Sequence, residues 1–113
     1  MVSGQDIVNE AKKHLGKPYK WGAAGPNAFD CSGLVVYVYK QAAGMSLPHG
    51  TKYLINKGTK VSQNNLKPGD LVFPHSGHVA ISMGGNQYIH APQTGDVVKI
   101  STIKKFLTAR RIL

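Results

Sequence analysis

The sequence predicts an α+β domain, on three observations. Amphipathic stripes bounded by capping residues occupy the first half, five short β-rich runs separated by turn residues fill the second, and 113 residues suffice for one modest core. Residues 1–113 are therefore expected to form a single domain. Counting the 13 Gly and leaving out the 5 Tyr brings the 42% hydrophobic share to about 49%, within the globular range of ~45–50%.

The first helix is expected from about Gly4 to Leu15. Ser3 can cap it with Asp6 three residues on, Ile7, Val8, Ala11 and Leu15 share a stripe, and Gly16 stands at the C-cap. The segment Cys31 to Ala43 is ambiguous, because Leu34-Val35-Val36-Tyr37-Val38-Tyr39 favours a strand by propensity. Helical signals oppose that: Asp30 is a good N-cap, Gly44 a good C-terminal cap, and Cys31, Leu34, Val35, Val38 and Ala42 fall on one stripe. On local grounds both readings stand.

Strands are expected at Asp70–Phe73, His78–Met83, Gln87–Ala91, Val97–Ile100 and about Phe106–Leu113. Apolar Val79, Ile81, Met83 and Ile89 must share a buried face, which fixes the register around Gly84-Gly85-Asn86. A three-residue loop sets Ile81 opposite Ile89 and Ala80 opposite His90, with His78 diagonal to His90 on the other face. A two-residue loop would separate the histidines and oppose apolar to polar positions.

Fourteen Lys and Arg against five acidic residues give a net charge of +9, which favours polyanionic surroundings. Lys104, Lys105, Arg110 and Arg111 are the most compact basic cluster. The longest unbroken apolar run, Leu34 to Tyr39, is far short of the ~18 residues that span a bilayer, so no membrane insertion is expected. The N-terminus has neither a basic region nor an apolar core and does not read as a secretory signal. Nucleic acid is not an expected partner, since the basic residues are not interleaved with aromatics as in single-strand binders.

A single cysteine, Cys31, excludes an intramolecular disulfide. If Cys31 opens a helix packed on the sheet, its sulfur turns toward the sheet, and a helix N-terminus stabilises a thiolate. Cys31, His78 and His90 could then supply a nucleophile, a base and an orienting group. The plainer alternatives are an inert buried thiol with structural histidines, or a zinc site adding His75. One Cys without a Cys-x-x-Cys pair is a weak zinc signature, and no metal or cofactor is expected.

Five motifs in order resemble the NlpC family of bacterial cell-wall cysteine peptidases, across nearly the whole chain from Ile7. They are Pro18-Tyr19-Lys20-Trp21-Gly22, Phe29-Asp30-Cys31-Ser32-Gly33-Leu34, Leu66-Lys67-Pro68-Gly69-Asp70-Leu71-Val72-Phe73, Gly77-His78-Val79-Ala80-Ile81 and Tyr88-Ile89-His90-Ala91-Pro92. The resemblance implies a compact papain-like fold: N-terminal helices, one beginning at the nucleophile Cys31, packed on a C-terminal antiparallel sheet. It implies His78 as general base, His90 as orienting group, Tyr19 near the oxyanion site, and Asp30 and Ser32 binding the amino end of a substrate. His49 stands where arginine is common and, with Gly50–Gly58, is expected to line the groove. Ala23, Pro74, Ala80, Ser82 and Met83 also depart from the usual pattern.

The implied activity is hydrolysis of an amide in the peptidoglycan stem peptide, between D-γ-glutamate and a diamino acid. Attack on the sugar–peptide bond or a cross-bridge, and a non-catalytic module binding an anionic polymer, are the competing readings. The expected setting is the cell wall or extracellular space, as an excised domain or a phage or mobile-element product, with a monomer as the working unit and anionic wall polymers as neighbours. Trp21 reads as a core residue, and His14 and His75 as exposed or structural.

Overall fold

A computed structural model describes residues 1–113. Helix α1 runs Gly4–Lys12, opened by a reciprocal Ser3/Asp6 capping box. It ends before Leu15 because the next bonds run to the third preceding carbonyl: Lys13 to Glu10, His14 to Ala11 and Leu15 to Lys12. That tighter winding turns His14 into the core and leaves Leu15 40% exposed, contrary to the predicted stripe. Gly16, at φ 87°, then diverts the chain and donates its N–H to Val98.

Cys31–Ala43 forms helix α2, so capping and the apolar stripe outweigh strand propensity. The Asp30 side chain accepts from Gly33 N–H at 2.6 Å, and Gly44 closes the helix in the left-handed region. Leu34, Val35, Val38 and Tyr39 are buried. A short helix α3, Thr51–Leu54, buries Leu54. No helix is long and apolar enough to cross a membrane.

The strands are β1 Thr59–Lys60, β2 Leu71–Phe73, β3 Ala80–Ser82, β4 Gln87–His90, β5 Lys99–Thr102 and β6 Thr108–Arg111. They form one sheet in the order β1-β6-β2-β3-β4-β5, every pair antiparallel. The β3–β4 register is the predicted one, with Ile81 opposite Ile89 and Met83 N–H bonded to Gln87 across the loop. Several boundaries differ, chiefly in that His78 and Val79 precede β3 and β5 runs Lys99–Thr102 rather than Val97–Ile100, and β1 carries no strand signal in the sequence.

Both sheet faces are covered. α1 and α2 cover one, where Ile7, Val8, Leu34, Val35 and Val38 meet Leu71, Phe73, Val79, Ile81 and Ile89. On the other, Val72, Ala80, Tyr88 and Ala109 pack with Val61 and Leu66 under partly buried Ile103 and Phe106. The alternating pattern pointed to only one buried face, because Ala80, Ser82 and Tyr88 read as polar or small. The expected basic cluster is also divided: Arg111 makes two bonds to the Asp70 carboxylate and one to the Asn65 carbonyl, while Lys104 and Lys105 are exposed.

Candidate active site

Cys31, His78 and His90 come from three elements that end at the same place. Cys31 is the first residue of α2, His78 lies just before β3, and His90 is the last residue of β4. All three line one cleft of about 570 Å³, together with Tyr19, Trp21, Asp30, Ser32, His49, Thr51, His75 and Pro92. Every site residue expected from the sequence is therefore at this cleft.

His78 Nε2 and His90 Nδ1 lie 2.8 Å apart in a hydrogen bond, and His90 Nε2 lies 2.9 Å from Ser101 Oγ. The His90 ring packs against Tyr88, with centroids 4.7 Å apart. The other nitrogen of His78, Nδ1, makes no protein hydrogen bond. Cys31 Sγ is paired with Thr51 Oγ1 at 3.6 Å, and no hydrogen bond joins it to His78.

Burial keeps both histidines neutral near pH 7. Desolvation, with His75 nearby, lowers the His78 pKa to about 4. Desolvation also lowers His90 to about 4, helped by His78 and Lys99 and opposed by Asp96. Histidine in the unfolded chain titrates near ~6.5, so below that pH the unfolded state takes up protons that the folded state refuses. The stability these rings contribute is complete above about pH 6.5 and is lost as pH falls toward about 4. The urea midpoint is expected to drop measurably between pH 7 and about pH 5.5, a window above the range in which carboxylates titrate. An unchanged midpoint would show that the rings are not buried in their neutral form.

Asp30 is a structural hub. Its carboxylate accepts from Gly33 N–H, Gly22 N–H at 3.0 Å, Ser32 Oγ at 3.3 Å and His49 Nε2 at 2.8 Å. These donors tie the helix start, the Trp21-Gly22 turn and the loop before α3 to one buried side chain. Tyr19 is held by its backbone N–H to the Asp96 carbonyl at 3.0 Å. Its hydroxyl stays protonated, since burial, Cys31 and Asp30 all push its pKa up.

Two placements differ from expectation, those of Trp21 and of the segment Gly50–Gly58. Trp21 is 84% exposed at the cleft rim and not in the core. His75 is exposed, as expected, and at the cleft it stacks on His78 with centroids 6.0 Å apart. Of the segment Gly50–Gly58, only Gly50 and Thr51 reach the cleft. His14 is structural, as expected: it is buried, set between Glu10 and Lys17 and edge-on to Phe29 and Tyr37. Thr51 falls in the segment expected to line the groove, but its pairing with Cys31 and the part played by Ser101 have no signal in the sequence; β5 in its true register puts Ser101 diagonal to His90, whose ladder partner is Lys99. No group of three or more His, Cys, Asp or Glu is arranged to hold a metal ion.

Residues 16–113 match the NlpC/P60 family. Protein P54 of Enterococcus faecium is 48% identical over 107 residues, covering 91% of this chain and 21% of P54. The probable endopeptidase YafL of Escherichia coli K12 is 37% identical over 121 residues, covering 94% of this chain and 49% of YafL. The chain thus spans between a fifth and a half of these two relatives. Among solved structures, the NlpC/p60 domain of the peptidoglycan hydrolase SagA superposes with a TM-score of 0.93 at 44% identity, covering 98% of this chain and all of that one. The peptidoglycan hydrolase RipB of Mycobacterium tuberculosis gives a TM-score of 0.86 at 29% identity, over 97% of this chain and 64% of that one. By sequence and by fold, this chain belongs to the NlpC/P60 family.

Proposed function

We propose that this chain is the catalytic domain of a cysteine endopeptidase that hydrolyses an amide bond in the peptidoglycan stem peptide, between D-γ-glutamate and a diamino acid. The observation that carries the proposal is Cys31 at the N-terminus of α2, in one cleft with His78, whose Nε2 is engaged by His90. With Nε2 donating to His90, His78 Nδ1 keeps a lone pair and can take the thiol proton.

The first step moves the Cys31 thiol from Thr51 to His78. Nucleophile–base hydrogen bonds commonly tighten only when substrate is bound. Sγ then attacks the carbonyl carbon, and the resulting oxyanion is met by the Cys31 backbone N–H and the Tyr19 hydroxyl. His78 returns the proton to the departing amine, the C–N bond breaks, and the acyl group stays on sulfur. Water, deprotonated by His78, then cleaves the thioester and restores the thiol.

His90 carries no negative charge, so its contribution is to orient His78 and fix its tautomer, not to act as a carboxylate does. Asp30 and Ser32 serve the amino end of the stem peptide. Internal donors already surround the Asp30 carboxylate, so an incoming ammonium competes with His49 for it. Exposed Trp21 offers an apolar wall at the cleft mouth. All these residues lie on one chain, which fits a monomer acting at the cell wall, and the charge of +9 favours the approach to anionic wall polymers.

Mass spectrometry of lysine-type and diaminopimelate-type muropeptides incubated with the protein tests this reading. The expected products are one fragment ending in D-glutamate and one beginning with the diamino acid. Fragments cut at the sugar–peptide bond or within a cross-bridge would reassign the bond, and intact muropeptides of both types would remove the assignment.

A further inference from the structure

The hydrogen-bonded chain that starts at His78 does not end at His90. Ser101, on β5, is half-buried, and its Oγ lies 2.9 Å from His90 Nε2. A second, shallow and open depression of about 500 Å³ is lined by His90, Ser101, Asp96 and Lys99 among others. His90 therefore lines two open spaces, one that also takes in Cys31 and the other bounded by the serine.

Both imidazoles are neutral near pH 7, so each has one ring proton to place. The open variable is the tautomer. In one arrangement His78 Nε2–H donates to His90 Nδ1, His90 Nε2–H donates to Ser101 Oγ, and the Ser101 O–H turns toward the second depression. His78 Nδ1 then has a free lone pair. In the reverse arrangement Ser101 donates to His90 Nε2, and His90 Nδ1–H donates to His78 Nε2. The His78 proton is then on Nδ1, and the ring cannot accept the thiol proton.

We propose that Ser101 is a positioning residue: by accepting from His90 Nε2–H it holds both rings in the tautomer that leaves His78 Nδ1 basic. This rests on the catalytic roles proposed above for Cys31, His78 and His90. The role persists through the reaction. Once His78 carries the thiol proton, His90 Nδ1 still accepts from it, and Ser101 remains the acceptor at the end of the chain. A hydroxyl that can turn its own O–H toward the second depression while its oxygen accepts from His90 suits that role, and no other protein partner holds the Ser101 oxygen.

The test combines 15N NMR of histidine-labelled protein with muropeptide kinetics. Wild-type His90 is expected to show Nδ1 unprotonated and Nε2 protonated at pH 7. Ser101→Ala is expected to populate the other tautomer and to lower kcat roughly tenfold, the scale of one hydrogen bond, with KM nearly unchanged. Ser101→Thr, which keeps the hydroxyl, should restore the wild-type spectrum and rate. Ser101→Asp, an acceptor only, should keep the productive tautomer and move the acid limb of the kcat profile to higher pH. A wild-type His90 protonated on Nδ1, or a Ser101→Ala protein with wild-type shifts, kcat and pH profile, overturns the assignment. If the wild-type protein cleaves no muropeptide, the catalytic reading fails, while the spectra still decide what Ser101 does to the rings.

Discussion

Cys31→Ala is expected to lower stem-peptide hydrolysis by ~10⁴-fold or more and to leave the fold intact. The size follows from the chemistry: without sulfur there is no acyl-enzyme, and what remains is the binding and oxyanion contribution alone. The fold should survive because the cysteine is only partly buried and its one side-chain bond, to Thr51, is a weak one at 3.6 Å. The helix start depends on Asp30, whose carboxylate still caps Gly33 in the variant. Unaltered circular dichroism and urea midpoint, beside fragment release at the level of a no-enzyme control, form the expected result. His78→Ala should lose a comparable factor, and the double variant little more than either alone, since residues acting as a unit are not additive.

Gly33→Ala is the second large effect, and it acts on stability. A Cβ at Gly33 would stand 2.0 Å from the Ala23 carbonyl oxygen and 2.9 Å from Asp30 Oδ1. The carbonyl is fixed, because it accepts the Asp30 backbone N–H at 2.8 Å. No flexible side chain can yield, so the first turn of α2 must lift off the Trp21–Ala23 turn. That breaks the 2.6 Å cap bond and moves Cys31 relative to His78. A loss of ~3 kcal/mol is expected, at the upper end for overpacking a tight site, with Tm lower by roughly 10–20 °C. A variant melting within about 2 °C of wild type would show that the turn and the helix are not locked together as described.

The residues that carry local rules were legible in the sequence. Ser3 and Asp6 make the capping box, Asp30 and Gly44 bound α2, and the demand that Ile81 and Ile89 share a face fixed the β3–β4 register and brought His78 to His90. Where local signals conflicted, tertiary packing decided. The valines and tyrosines of α2 are helical because their stripe lies on the sheet, against their strand propensity.

What was missed depends on long-range geometry. The end of α1 is set by the tightened turn before Gly16, which no stripe reveals. Trp21 looked like core because aromatics usually are; only the turn bound to Asp30 explains its exposure. The sequence points to a strand at Val97–Ile100 because Val97 and Ile100 look like buried strand residues, yet each is 39% exposed and β5 is Lys99–Thr102. That shift concealed Ser101, whose relation to His90 exists only in the correct register.

The central claim, that one thiolate performs the reaction, is tested most directly by alkylation. The protein is treated with increasing iodoacetamide, and each sample is divided between intact-mass measurement and a muropeptide cleavage assay. With one cysteine in the chain, activity is expected to fall in direct proportion to the fraction carrying a single carboxamidomethyl group, reaching background at full modification. Fully alkylated, folded protein that still cleaves muropeptide at the untreated rate would contradict the account.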